Sequence, residues 1–138
     1  MNVTMVLARF DYAKKKMILA NAGQYAYPLL IRSGIVESIK AKGLALGMIP
    51  SILYKSTTVD LKSGDLLLLM TDGITEPRNA EGVMSEESGR LNEVLSNIPA
   101  DMSIEEVVDT IINNDANTSR HYCTHQIVFG IVKHLVSH

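Results

Sequence analysis

The chain has 138 residues, 46% hydrophobic and 20% charged, with a formal net charge of −2. That composition fits one soluble globular domain over residues 1–138, argues against disorder, and offers nucleic acid no basic surface beyond Lys14-Lys15-Lys16. No apolar run approaches the ~20 residues of a membrane span, no signal peptide is evident, and the lone Cys123 excludes an internal disulfide, so a cytoplasmic setting is expected.

In chain order, Thr4 to Phe10 is β-rich and meets Asp11 and three lysines, a polar turn; Met17 to Ala20 reads as the return strand. Asn21-Ala22-Gly23 ends it with residues that tolerate unusual backbone angles, which either shape the strand end or serve a site directly. Pro28 to Arg32 is a third strand, turned at Ser33-Gly34 and answered by Ile35 to Ile39. Tyr25 and Tyr27, beside Pro28, are expected to pack. GLALGMIP, from Gly43 to Pro50, reads as a structured loop whose glycines serve the backbone. Leu53 to Leu61 alternates, with Leu53, Lys55, Thr57, Val59 and Leu61 on one face.

Leu66 to Met70 is an apolar run without alternation, set between Gly64-Asp65 and Thr71-Asp72-Gly73. Such a run is a strand covered on both faces. Its abrupt end in Asp72-Gly73 puts a carboxylate at the edge of the core, where rigid elements tend to hold functional loops; an Asp-Gly pair is also an ordinary turn.

Pro77 to Ser88 is polar and reads as an exposed loop. Leu91, Val94, Leu95 and Ile98 fall on one face of a helix ended by Pro99. Ser103 and Glu106 match a capping box for a second helix, whose stripe is Ile104, Val107, Val108, Ile111 and Ile112; the polar run from Asn113 to Arg120 ends it. Ile127 to Val132 is a buried last strand. Antiparallel strands with segregated helices give the α+β class.

Four stretches, NAGQYAYPLL from Asn21, GLALGMIP from Gly43, LKSGDLLLLMTDGITEPRNAEG from Leu61, and the helical tail closing in a strand, resemble the SpoIIE/RsbU-type branch of the PP2C-like (PPM) metal-dependent protein phosphatases. The resemblance implies an α-β-β-α sandwich of two antiparallel sheets whose N-terminal part is missing here, with aspartates holding two Mn²⁺ or Mg²⁺ ions. It implies hydrolysis of phosphoserine or phosphothreonine by metal-activated water, and partners of the phosphorylated anti-sigma-factor-antagonist type in bacterial stress or sporulation signalling. It makes Asp72 a metal ligand, brings Gly73 to the metal shell through its backbone, and gives Glu76 a role in orienting the flap.

Three departures stand beside it. The aspartates of the family's first metal motif and its GHG-like segment are not found; the closing aspartate pair is replaced by Thr124-His125; and the usual NAGH reads Asn21-Ala22-Gly23-Gln24. Asp72 alone would not hold two hard divalent ions, so little or no phosphatase activity is expected of this chain. Apolar faces that the missing part would cover are expected to lie open, with self-association as a consequence. Two further readings remain: a catalytically inactive pseudophosphatase that binds a protein partner, and a zinc site from His121, Cys123 and His125, alternate residues of one strand face. The cysteine-phosphatase signature is absent around Cys123.

Overall fold

The computed structural model describes residues 2–70, 87–116 and 130–133. Met5–Asp11 (β1) and Lys16–Ala22 (β2) form the first hairpin, and Ser56–Asp60 (β5) pairs with the other edge of β2. Leu29–Arg32 (β3), Ile35–Ser38 (β4), Leu66–Leu69 (β6) and Gly130–Lys133 (β7) make a second sheet in the order β4-β3-β6-β7. Every strand pairing in the two sheets is antiparallel. Between β6 and β7 come the helices Glu87–Ser96 (α1) and Ile104–Ala116 (α2).

The leucine run explains the layering. Leu66, Leu68 and Met70 join Ile31, Leu95, Val107 and Ile111 in a core shared with the helices. Leu67 faces the opposite way, into a second core with Met17, Leu19, Leu30, Ile39 and Leu61 between the sheets. A central strand buried on both faces has no use for alternation, and each fully buried leucine contributes roughly 1.5–3 kcal/mol.

The helices start where the sequence places its signals. The Ser103 backbone N–H donates to Glu106 Oε2 at 2.9 Å, and the Glu106 N–H donates to Ser103 Oγ at 3.2 Å. The backbone N–H of Ser103, first, and then its hydroxyl side chain hold the Glu106 carboxyl below the usual glutamate range. A depressed carboxyl pKa means the cap's contribution is present above the unfolded pKa and is lost as pH falls through the folded one. An NMR titration is expected to find Glu106 low. Ser103→Ala should return it only part of the way, because the backbone donor remains.

Several boundaries differ from the sequence reading. β5 is shorter than Leu53 to Leu61: Thr57, Val59 and Leu61 do face inward, but Leu53 is 93% exposed and precedes the strand. A turn with Ser51 at φ 59° interrupts the chain before the alternation takes hold. α1 begins at Glu87, within the expected loop, and α2 continues through Asn113 to Ala116. The α2 stripe is narrower than drawn, since Val107 and Ile111 are buried while Ile104 and Ile112 lie at its exposed margins. Residues 43–50 form a loop as expected, tied to the N-terminal segment by a Val3–Leu46 bridge. Met5 and Leu7 lie exposed on the outer face of the three-stranded sheet.

Candidate functional site

Each strand of the sandwich has one end near Met70, where β6 runs out, and one near Asp65, where it starts. At the Met70 end the chain after β2 turns sharply around Asn21, which is 2% exposed. Asn21 Nδ2 donates to the carbonyls of Gln24 and Ala41, both at 2.8 Å, and Oδ1 accepts the Gln24 backbone N–H at 2.8 Å. Both donors and the acceptor oxygen are thus engaged by main chain. Asn21 shapes this turn; its side chain has no donor left to offer a ligand.

The GLALG loop packs directly on that turn. The Gly23 N–H donates to the Gly43 carbonyl at 2.9 Å. A Cβ on Gly43 would overlap the Asn21 carbonyl oxygen, and one on Gly23, at φ 74°, would sit 2.7 Å from Ala45 backbone atoms. Only glycine allows the two loops to approach so closely. Gln24 then reaches across to β6: its Nε2 donates to the Met70 carbonyl at 3.3 Å. Three stretches far apart in sequence therefore meet here, and Met70 is followed in sequence by Thr71-Asp72-Gly73. Tyr25, expected to pack, is instead 85% exposed on this turn, because buried Ala26 and Pro28 take the inward positions.

The Asp65 end is a structural clamp. Asp65, 2% exposed, accepts Arg32 Nε at 2.8 Å, Arg32 Nη2 at 2.6 Å and the Lys62 N–H at 2.7 Å, while Arg32 Nη2 also reaches the Asp60 carbonyl at 2.7 Å. Its hydrogen bonds from Arg32 push the guanidinium pKa further above its ordinary value. Nothing in the sequence pairs these two residues: an aspartate after glycine reads as a turn, and the partner lies on another strand. A cleft of about 380 Å³ lies at this end, between Ser33-Gly34, Gly64 and the α1–α2 connection, with no charged residue among the described residues that line it. A phosphoryl group would find no counter-charge there.

Carboxylates are distributed the same way. Asp11 and Asp60 sit with Lys14 and Lys16 at the Asp65 end, and Glu37 is exposed on the edge strand β4. Among the described residues no three His, Cys, Asp or Glu side chains come together as metal ligands. Those residues therefore do not form a cradle for a pair of hard divalent ions. The expected ligands Asp72 and Gly73, with Glu76, lie outside the described residues, as do Thr124 and the zinc candidates His121, Cys123 and His125.

Comparison with known proteins follows the same lines. The family described as Stage II sporulation protein E (SpoIIE) matches residues 1–123. The chain belongs to the SpoIIE family. Phosphoserine phosphatase RsbU of Bacillus subtilis is 31% identical over 85 residues, which make up 61% of this chain and 25% of RsbU. The PP2C phosphatase domain of SpoIIE from Bacillus subtilis, solved with a fragment of its regulatory domain, superposes with a TM-score of 0.76 at 21% identity, covering 94% of this chain and 37% of that one. The same phosphatase domain presoaked with Mn gives 0.70 at 20% identity, over 94% of this chain and 55% of that one. The fold is thus PP2C-like, and this SpoIIE-family chain spans a quarter to about half of these relatives.

Proposed function

We propose that the chain is the C-terminal part of a serine/threonine phosphoprotein phosphatase domain of the SpoIIE/RsbU type, and that on its own it hydrolyses phosphoserine or phosphothreonine poorly or not at all. The observation that carries this is the split between the two ends of the sandwich. The Met70 end holds the interlocked NAG turn and GLALG loop, tied to Met70 two residues before Asp72 in sequence, yet no described strand brings a carboxylate to it. In this reading Asp72 is the one remaining metal ligand, Mn²⁺ or Mg²⁺ is the metal, and the rest of the ligand set comes from residues outside this chain. The partner is a phosphorylated regulatory protein of the anti-sigma-factor-antagonist class, and the setting is cytoplasmic. Among the described residues no helix is long and apolar enough to cross a membrane.

A second reading, an inactive module that binds such a partner without hydrolysing it, is favoured by Thr124-His125 standing where the family carries its closing aspartates. One experiment separates the two. Mn²⁺ is titrated by calorimetry while hydrolysis of a phosphoserine peptide is followed on the same sample, with Asp72→Asn as the control. The partial-phosphatase reading expects weak Mn²⁺ binding that disappears in Asp72→Asn. Turnover that appears when the upstream part of a SpoIIE-type domain is added would confirm that reading. Mn²⁺ binding unchanged by Asp72→Asn, or turnover restored by no addition, would leave the binding module.

A further inference from the structure

We infer that Lys40, Lys42 and Lys55 form a docking surface for acidic residues that flank the phosphorylated serine or threonine of a protein partner. The inference rests on the reading of the Met70 end as the one that meets the phosphoryl group, and it names what else that end recognises. The segments that build this end, residues 21–28 and 39–55, contain these three lysines and no aspartate or glutamate. In a chain of net charge −2 that is a local reversal of sign.

All three lysines sit on backbone tied to the Asn21 turn. Ile39 and Ala41 are buried while Lys40 and Lys42 are exposed, so this segment turns its cations to solvent. The Ala41 carbonyl accepts Asn21 Nδ2 at 2.8 Å and the Gly43 carbonyl accepts the Gly23 N–H at 2.9 Å, which pins the chain on both sides of Lys42. Lys55 is exposed too, between two anchored neighbours. The Tyr54 hydroxyl donates to the Leu44 carbonyl at 2.9 Å, and Ser56 pairs with Ala20, one residue before Asn21. Among the described residues no carboxylate pairs with any of the three. At the other end Lys16 meets Asp60 at 3.5 Å, Lys14 meets Asp11 at 3.9 Å, and Asp65 clamps Arg32. Paired charges cancel one another's field, whereas grouped cations without counter-ions draw in a partner of the opposite sign. A phosphoryl group carries about −1.5 to −2 charges near pH 7, so three lysines leave attraction over for neighbouring carboxylates. Exposed Leu44, Met48 and Ile49 on the same loop add an apolar component that a protein segment can cover and a phosphodiester backbone cannot.

The test is fluorescence anisotropy with labelled peptides, in EDTA so that neither metal nor turnover contributes. One peptide carries phosphoserine among aspartates and glutamates, a second has asparagine and glutamine in place of those acids, and a third is the acidic peptide without its phosphate. The expected result is a preference of about tenfold for acidic over neutral flanks, from three exposed cations contributing roughly twofold each. The preference should vanish in Lys40→Gln/Lys42→Gln/Lys55→Gln and fade with added salt. Lys14→Gln/Lys15→Gln/Lys16→Gln removes the same charge at the opposite end and should keep it. No preference, one that survives the first triple variant, an equal loss in the second, or tighter binding of a single-stranded oligonucleotide would overturn the inference. Should the first triple variant not fold, Lys42→Gln alone and the salt dependence decide, and a salt-insensitive preference overturns it. Equal binding of the acidic peptide with and without its phosphate would instead count against the phosphatase reading and leave the lysine surface standing.

Discussion

Asp65→Ala is expected to lower stability by about 2–4 kcal/mol, a drop in Tm of roughly 10 °C for a chain of this size. The substitution takes the carboxylate from under a bidentate guanidinium and from the Lys62 N–H. Arg32 is 31% exposed at its side chain and recovers some hydration when its partner goes, which holds the loss below that of a wholly buried pair. The converse substitution should cost more. Arg32→Met leaves a carboxylate that is 2% exposed with only one backbone donor, and a charge so enclosed cannot turn to water. The double variant Asp65→Ala/Arg32→Met should cost clearly less than the sum of the two, because neither group is then stranded. Urea denaturation of the three variants, with m-values compared, measures all of this. An additive double variant would mean that the two residues do not act as a pair.

Asn21→Ala is the second large effect, at about 2–4 kcal/mol, since three main-chain contacts, the one to Ala41 buried and the two to Gln24 part-buried, lose their partner at once. Asn21→Asp is the sharper variant. A carboxylate at this place would face the carbonyls of Gln24 and Ala41 with no hydrogen to give either, so it should destabilise more than alanine at neutral pH. Part of that excess should disappear in acid, where the protonated group can donate again. A residue that served the site as a ligand would respond in the opposite sense, with the aspartate strengthening Mn²⁺ binding. Chemical denaturation at pH 7 and pH 4, together with a Mn²⁺ titration of whatever remains folded, tells the two apart.

Much of the fold can be read directly from residue patterns. The unbroken Leu66 to Met70 run announces a doubly covered strand, and Ser103 with Glu106 announces a helix start, because both signals are local and strong. Leu53 misleads for the same reason: alternation is a local pattern, and it continues back from Val59 and Thr57 into residues 53–55, which precede the strand. The contacts that organise the two ends of the sandwich are long-range. Arg32 with Asp65, Asn21 with Ala41 and Gln24 with Met70 each join segments that composition treats as unrelated. Asn21-Ala22-Gly23 carried a visible hint in its turn-forming residues, but its choice between shaping and binding needed the hydrogen bonds. Tyr25 could not be placed from sequence, since Pro28 nearby suggests packing as readily as display.

The leucine run itself leaves one matter open that the polar ends settle. In a half-exposed strand a slip of one residue would throw leucines into water and lysines into the core, so alternation guards alignment. Here Leu66 to Leu69 could slide by one position along β3 and meet leucine with leucine again, at almost no hydrophobic penalty. The observed alignment, Leu68 beside Leu29 and Leu66 beside Ile31, is therefore chosen elsewhere. Asp65 bolts the strand to Arg32 at one end, and Gln24 catches Met70 at the other. A slip of one residue would break both. The greasiest strand in the protein takes its address from its few polar neighbours.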